Sequence, residues 1–225
     1  MAKPGKLSKK EESGLCLACA ECCKRYSITV LPEEAKKVSK LLGKKEKDFL
    51  ENDCVISVKL FPKSVQGVLT YPTTFFPKRV YSMLEHELGR GNVPGSFFVV
   101  PQVVLKRIPE DGRNICSFLG GENKCEIYPA RPEPCRLFPF IAMPGIREQY
   151  PFCPVYQRTY RELSKESRTY YKKVKQYFRK VHSKGFSALW KNPSHSGPIF
   201  LSDRQIGEVS LEELETMMTK AKRKK

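Results

Sequence analysis

The chain carries the sequence Cys16-Leu-Ala-Cys19-Ala-Glu-Cys22-Cys23 close to its start. Four more cysteines follow more than ninety residues later, at Cys116, Cys125, Cys135 and Cys153. Cysteines at this local density indicate either a disulfide framework or a metal site. The choice between the two decides how the fold is held together.

Three features of the chain favour metal over disulfides. Its 225 residues can bury a core as one domain, so stability does not depend on disulfides. Residues 1–10 contain no apolar stretch, and no segment approaches the roughly 20 apolar residues of a membrane helix. We therefore expect a cytoplasmic protein without membrane contact, in which thiols stay reduced. The total of nine cysteines is odd, which also fits complete pairing poorly.

The Cys-x-x-Cys spacing at residues 16–23 occurs in zinc sites and in the cysteine run of bacterial ferredoxins. Thiolates prefer Zn²⁺, Cu(I) and iron–sulfur clusters to hard cations. Each group of four could bind one Zn²⁺ or one 4Fe–4S cluster, or the two groups could interleave and close a single site. If residues 16–23 form one helix, Cys16, Cys19 and Cys23 share a face; a loop around the metal is the alternative.

Positive charge next to the cysteines would offset the negative charge of a thiolate site. The neighbouring cations are Lys24, Arg25, Arg131 and Arg136, with ordinary surface ion pairs as the alternative for each. The ninth cysteine, Cys54, is predicted to be a small buried hydrophobic residue. The three histidines have no ligand spacing to a cysteine; they are His86, in a polar, turn-like stretch, His182 and His195.

The chain is strongly basic, with 41 Lys and Arg against 24 Asp and Glu and a formal net charge of +17. The segment 155–185 and the C-terminal tail favour nucleic acid or another acidic partner, with a solvated helix face as the alternative. Steps of four and three in the same segment predict a helix face that packs on the core. This stripe is Tyr156, Tyr160, Leu163, Ser167, Tyr170, Val174, Tyr177 and Val181.

The remaining pattern predicts an α+β fold. We expect a small mixed domain with short antiparallel strands, closed by one or more thiolate metal sites and followed by a long basic amphipathic helix. Residues 26–30 alternate as in a strand. Pro32 begins a helix that Gly43 ends, and a second short helix follows at 45–51.

The β structure is predicted after residue 54. Runs rich in branched and aromatic residues lie at 56–60, 68–71 and 97–105, and prolines should keep these strands short or at sheet edges. The Asp111-Gly112 pair predicts a hairpin turn, and Ser210–Glu213 is a capping box for a last helix.

These elements suggest three regions along the chain. We expect a disordered arm at 1–13 and a cysteine-cluster domain at 14–155, with an insert at about 54–109. A basic helical extension should follow at 156–225.

Two stretches together resemble a known family. One is Cys16–Cys23, with the short strand and Pro32-Glu-Glu that follow it. The other is Cys116-Ser-Phe-Leu and Cys125-Glu-Ile-Tyr-Pro-Ala-Arg-Pro-Glu-Pro-Cys135-Arg-Leu-Phe-Pro139. Over about residues 14–155 they resemble the CxxCxxCC family, the YkgJ-type cysteine-cluster proteins. The resemblance implies a zinc- or iron-chelating protein with the ligands Cys16, Cys19, Cys22, Cys23, Cys116, Cys125, Cys135 and Cys153.

The predicted function is metal binding, with an iron–sulfur cluster favoured and zinc next. One branch of the family, the flagellin lysine-N-methylases, makes a protein lysine methyltransferase an alternative, although nothing in the sequence resembles an S-adenosylmethionine site. A metal-stabilised nucleic-acid-binding protein is the other alternative, because of the basic helix and tail. The sequence leaves open whether the chain is an enzyme.

Overall fold

The computed structural model describes residues 8–62, 69–72, 80–138, 153–155, 165–190, 207–214 and 216. Its helices include α1 Lys9–Cys19, α2 Glu21–Arg25, α3 Pro32–Leu41, α4 Glu46–Asn52, α5 Val80–Leu88, α6 Glu133–Leu137, α7 Lys165–Lys184 and α8 Phe186–Trp190. Its strands include β1 Thr29–Val30, β2 Cys54–Pro62, β3 Leu69–Pro72, β4 Ser96–Leu105, β5 Arg107–Glu110, β6 Arg113–Cys116 and β7 Gly207–Ser210. Helices, short antiparallel strands and a long helix confirm the predicted mixed fold.

The chain divides into two compact units. The first unit contains Met1–Asp53 and Leu105–Gln176, and the second contains Cys54–Val104 and Tyr177–Lys225. All eight clustered cysteines belong to the first unit, whereas Cys54 belongs to the second.

Local sequence explains the predicted helices of the first unit. Pro32 occupies the first turn of α3, where a backbone N–H would lack a helical partner. Ala35 and Val38 follow at helical spacing and are fully buried. The next helix, α4, contributes Phe49, which stacks on Phe118 with 6.3 Å between ring centroids. These apolar contacts fix the elements that surround the clustered cysteines.

The predicted hairpin turn is confirmed in the first unit. Asp111 (φ 46°) and Gly112 (φ 74°) both have positive φ, which is the backbone of a type I′ turn. The turn joins β5 to β6 in an antiparallel register that sets Arg107 opposite Cys116. The hairpin therefore brings a cation next to a cysteine nine positions away in sequence.

In the second unit, β4 pairs with β2 and β7, and β2 pairs with β3. Contrary to the expectation for strand prolines, β4 continues through Pro101. The pairing of β4 with β7 covers only Ser96–Val99, so this pairing does not require the backbone N–H that Pro101 lacks. The Pro101 carbonyl instead accepts a hydrogen bond from the Tyr177 hydroxyl (3.3 Å), to which the Trp190 indole donates (3.1 Å).

The long helix α7 confirms the predicted apolar stripe in its described part. Ser167, Tyr170, Tyr177 and Val181 are buried, and Val174 is half-buried. Most cations of the helix are exposed, whereas Lys173 is half-buried. The stripe residues Tyr156, Tyr160 and Leu163 lie outside the described residues. Within the described ranges, no helix is both long and apolar enough to cross a membrane.

Three local predictions differ from the structure. The predicted disordered arm, residues 1–13, contains the start of α1, because Ser8 and Glu11 form a capping box (Ser8 amide to Glu11 carboxylate, 2.8 Å). Residues 1–7 lie outside the described range. The strand predicted at 26–30 is reduced to Thr29–Val30. His86 lies at the C-terminal end of helix α5 rather than in a loop. The fully buried Leu84 gives this segment the apolar face of a helix.

Candidate metal centre

The N-terminal cysteines lie on two short helices. Helix α1 ends at Cys19, and Ala20 adopts the left-handed backbone conformation (φ 49°, ψ 12°) before α2 begins. The Ala20 amide donates to the Cys16 carbonyl (3.0 Å), and the Cys23 amide donates to the Ala20 carbonyl (3.0 Å). One continuous helix over residues 16–23 is therefore wrong. The break gives Cys22 and Cys23 a direction that an unbroken helix would not allow.

Three more cysteines are placed by turns in the segment 105–138. Cys116 ends β6, and Cys125 forms an isolated bridge with Leu119 around the 3-10 turn Gly121–Asn123. Cys135 lies on α6. Because α2 contacts β6 and α1 contacts the 3-10 turn, these cysteines lie next to the N-terminal group.

A cavity of about 50 Å³, called the first cavity here, lies among these thiols. Asn123 lines it and donates a hydrogen bond to the Ala18 carbonyl (3.2 Å), which ties the second cysteine stretch to α1. The lining cysteines are Cys16, Cys22, Cys23, Cys116, Cys125 and Cys135.

A second cavity, of about 20 Å³, adjoins the first. Ala20 and Phe138 line both cavities and therefore lie between them. Cys153 lines the second cavity and is 5% exposed. The lining cysteines are Cys16, Cys19, Cys22 and Cys153. The eight cysteines that the family resemblance implies as ligands thus surround two neighbouring cavities.

Burial raises the pKa of four thiols of the first cavity. The pKa of Cys116 is raised to about 11, mainly by burial and also by the neighbouring thiols of Cys23 and Cys125. Burial also raises the pKa of Cys125 and Cys135. For Cys23 the largest cause of the raised pKa is a hydrogen bond with the Cys22 thiol, followed by burial. A cation in the cavity would have to displace these protons.

Arg107 supplies positive charge that the sequence analysis missed. Its guanidinium donates to the carbonyls of Cys23 (3.3 Å), Lys24 (2.8 Å) and Tyr26, at the C-terminal end of α2, and to the carbonyl of Asn114. Its charge opposes the rise in pKa that burial causes at Cys116. The signal was the Asp-Gly turn, whose register brings Arg107 opposite that cysteine.

The four cations predicted next to the cysteines occupy different places. Arg131 lines the first cavity and lies over the Tyr128 ring, 4.1 Å from its centroid. Arg25 forms an ion pair with Glu21 (2.9 Å), and Lys24 lies 3.9 Å from the same carboxylate. Arg136 is exposed on α6. Of the four predicted cations, only Arg131 lines the first cavity, whereas the missed residue Arg107 lies outside the lining and affects the charge of Cys23 and Cys116.

The Tyr128 hydroxyl is a test of what the first cavity can hold. Tyr128 lines the cavity, and its buried hydroxyl oxygen has no hydrogen-bond partner among the described residues. A buried hydroxyl without a partner costs about 1–3 kcal/mol, so this group needs an acceptor. Sulfur bearing negative charge would provide one. The thiols, the two guanidinium groups and this hydroxyl therefore fit an anionic thiolate–metal group.

The other candidate ligands lie elsewhere. Cys54 is 2% exposed in the second unit. His86 and His182 are exposed on α5 and α7, and His195 lies outside the described residues. In the described part of the chain, no three His, Cys, Asp or Glu side chains are already arranged as the ligand set of one ion.

Comparison with known proteins gives one match. A family model described as "Putative zinc- or iron-chelating domain" matches residues 15–156, which is more than half of the chain. The match includes all eight clustered cysteines. No curated protein and no solved structure matches the chain.

Proposed function

We propose, because the chain belongs to the CxxCxxCC family of zinc- or iron-chelating domains, that it is an iron–sulfur protein. The observation that carries the proposal is the first cavity, which six cysteines line. Thiolates are the ligands of both zinc and iron–sulfur sites, so the ligand type alone does not choose between them.

The size of the first cavity favours a cluster. Its volume of about 50 Å³ compares with roughly 10–15 Å³ for a space that holds one water molecule. A Zn²⁺ ion bound by four thiolates at about 2.3 Å needs no space of this size between its ligands. A cluster of several iron and sulfide ions does.

The surroundings of the cavity support the same choice. Arg107 and Arg131 place positive charge beside the thiols, and the Tyr128 hydroxyl can donate to sulfur. Hydrogen bonds and charges of this kind set the potential of iron–sulfur sites. When bound, a cluster of this kind supplies one-electron transfer. The protein's own residues bind it, neutralise it and limit its contact with water.

The test is anaerobic purification followed by absorption spectroscopy and analysis of iron, zinc and acid-labile sulfide. We expect a coloured protein with iron and sulfide in about equal amounts. Cys54→Ser is the matched control and should keep the full content, because Cys54 lies in the second unit. A colourless protein that contains zinc and no sulfide would contradict the proposal.

We propose the cytoplasm as the compartment of this protein, because eight cysteines line two neighbouring cavities and a thiolate site needs its thiols to stay reduced. Neighbouring thiols would pair in an oxidising compartment unless metal protected them.

The alternative of a lysine methyltransferase is tested separately, by calorimetry with S-adenosylmethionine.

A second candidate function, nucleic-acid binding, is favoured by one observation on α7. Exposed cations recur at steps of three and four and form a single stripe along the part of the helix in the first unit, made of Lys165, Arg168, Lys172 and Lys175. None of the four forms an ion pair with another described residue. Such a stripe attracts phosphates, and binding through it should weaken steeply with salt.

Neutralising part of this stripe tests the second function. A variant with Arg168, Lys172 and Lys175 changed to Gln should bind RNA or DNA more weakly and with a shallower salt dependence. The matched control changes Lys36, Lys37 and Lys40, which are exposed cations on α3. Equal losses in both variants, or binding that salt does not affect, would contradict this function.

A further inference from the structure

The two cavities divide the eight clustered cysteines in a way that crosses their order in the sequence. Four cysteines line the first cavity only, and they are Cys23, Cys116, Cys125 and Cys135. Cys19 and Cys153 line the second cavity only, and Cys16 and Cys22 line both. The fourth cysteine of the N-terminal run thus joins the later group, and the last cysteine of the later group joins the N-terminal run.

The two shared cysteines are assigned by counting ligands. The first cavity already has four thiols of its own, which completes a tetrahedral ion or a four-iron cluster. The second cavity has two thiols of its own and needs two more. Cys16 and Cys22 supply them, so each cavity has four thiols.

The backbone allows adjacent cysteines to belong to different sites, since Cys23 lines only the first cavity and Cys22 lines both. Cys22 and Cys23 are consecutive on α2, where neighbouring side chains diverge by about 100° around the helix axis. Cys16 and Cys19 lie one turn apart on α1, before the break at Ala20. Because Ala20 lines both cavities, the break lies where the two sets of thiols separate.

We propose that the chain has two four-thiolate metal sites, one formed by Cys23, Cys116, Cys125 and Cys135 and the other by Cys16, Cys19, Cys22 and Cys153. Each site takes one ligand from across the sequence gap, so neither stretch forms a site alone. The proposal rests on the proposed function only in requiring thiolate-bound metal, and it holds for either metal.

Single and paired Cys→Ser variants test the division through the content of iron, zinc and sulfide. Cys23→Ser and Cys125→Ser should lose the same portion of metal, about half when both sites hold the same group. Cys22→Ser and Cys153→Ser should lose the other portion. The double variant Cys23→Ser/Cys125→Ser should lose no more than either single variant, whereas Cys23→Ser/Cys153→Ser should lose all metal.

The opposite pattern would overturn the proposal. If Cys22→Ser and Cys23→Ser lose the same portion, and Cys125→Ser and Cys153→Ser share the other, each sequence group forms its own site. The identity of the metal is read separately, from sulfide content and absorption. A colourless zinc protein with the proposed grouping would contradict the iron–sulfur function and support the two crossed sites.

The wild-type protein provides a test that does not depend on the folding of variants. Metal is removed stepwise with a chelator in the absence of oxygen, and freed thiols are trapped with N-ethylmaleimide and located by fragment-ion mass spectrometry. The two proposed sets of four should each become reactive as a group. Release of all eight thiols together, or in the two sequence blocks, would overturn the proposal.

Discussion

In the proposed iron–sulfur protein, Arg131 is the residue of the first cavity that would tune the cluster. Reduction adds negative charge, which the nearby guanidinium stabilises, so Arg131→Gln should lower the midpoint potential. We expect a shift on the order of 50 mV, equivalent to about 1 kcal/mol for a one-electron couple. Potentiometric titration followed by EPR measures it. The matched control is Arg136→Gln on the exposed side of α6, and equal shifts in the two variants would contradict the role of Arg131.

Glu34 is a buried carboxyl that links α3 to the helix carrying Cys135. It accepts hydrogen bonds from the Leu31 amide (2.7 Å) and the Glu133 amide (2.7 Å). Its pKa is raised to about 7, mainly by burial. The carboxylates of Glu133 and Glu33 also raise this pKa, whereas the two hydrogen bonds lower it. Lys173 offsets part of that charge through its ion pair with Glu133 (2.5 Å).

This raised pKa predicts the direction of a pH effect on stability. The folded protein holds the Glu34 proton more tightly than the unfolded chain, so the stabilisation from this group is complete below about pH 4.5 and is lost as pH rises through about 7. Relative to Glu34→Gln, the wild-type free energy of unfolding should fall by about 1–3 kcal/mol between pH 5 and pH 8. Urea unfolding of both proteins across this range measures the difference. A wild-type protein that gains stability relative to Glu34→Gln as pH rises would contradict the assignment.

Tyr177 is a core residue rather than a stacking platform for bases. Its hydroxyl joins the Pro101 carbonyl to the Trp190 indole, so Tyr177→Phe leaves two buried polar groups without this partner. We expect a loss of about 1–3 kcal/mol in the free energy of unfolding, measured by urea denaturation. Tyr171→Phe is the matched control on the same helix, since Tyr171 is 44% exposed, and it should cost less than about 0.5 kcal/mol.

At the scale of elements, the break between α1 and α2 directs the thiols. A β-branched residue in the left-handed conformation costs about 1–2 kcal/mol, and a larger side chain at Ala20 would also enter both cavities. Ala20→Val should therefore lower stability by about 2 kcal/mol and reduce the metal content of both sites. Ala18→Val, exposed on α1, is the control and should keep the metal. Metal analysis and thermal unfolding check both variants, and full metal content in Ala20→Val would refute the role of the break.

Elements with a strong local signal could be predicted from the sequence. Pro32 and the helical spacing of the apolar residues in α3 determine that helix, and the Asp111-Gly112 pair determines the hairpin turn. Each of these signals acts through atoms that are close in sequence. The break at Ala20 could not be predicted in this way, because an alanine has no local preference for positive φ. Ala20 is buried where it lines a cavity that residues distant in sequence also line.

The candidate site shows the same limit. The eight cysteines could be identified because their spacing and neighbours are local in the sequence. Their division between two cavities could not, because it depends on the rotation of α2 and on the hairpin register. Arg107 was missed because the hairpin register is not visible in the sequence, and the β5–β6 pairing is what brings Arg107 opposite Cys116.

At the scale of the whole molecule, metal should stabilise the first unit selectively, because this unit contains all eight clustered cysteines. Removing the metal should leave buried thiols without a cation and speed amide hydrogen exchange in residues 8–53 and 105–138 by about tenfold or more. Exchange in β4 up to Val99 and in α8 should change much less. Hydrogen exchange with mass spectrometry measures both units in one experiment. Equal loss of protection in both units would contradict the prediction. The metal-loaded Cys54→Ser variant is the control and should exchange like the wild type.

The distance in sequence between Cys23 and Cys135 also sets the order of assembly on the ribosome. At about 5–20 residues per second, more than one hundred residues of synthesis separate these two thiols, so Cys23 waits roughly ten seconds for its last partner. In the proposed two-site arrangement, the second site is complete only when Cys153 has been made. A nascent chain that ends between residues 135 and 153 therefore carries the ligands of one proposed site only. Metal delivered during translation would then fill the two proposed sites in a fixed order, beginning with the site of Cys23 and Cys135.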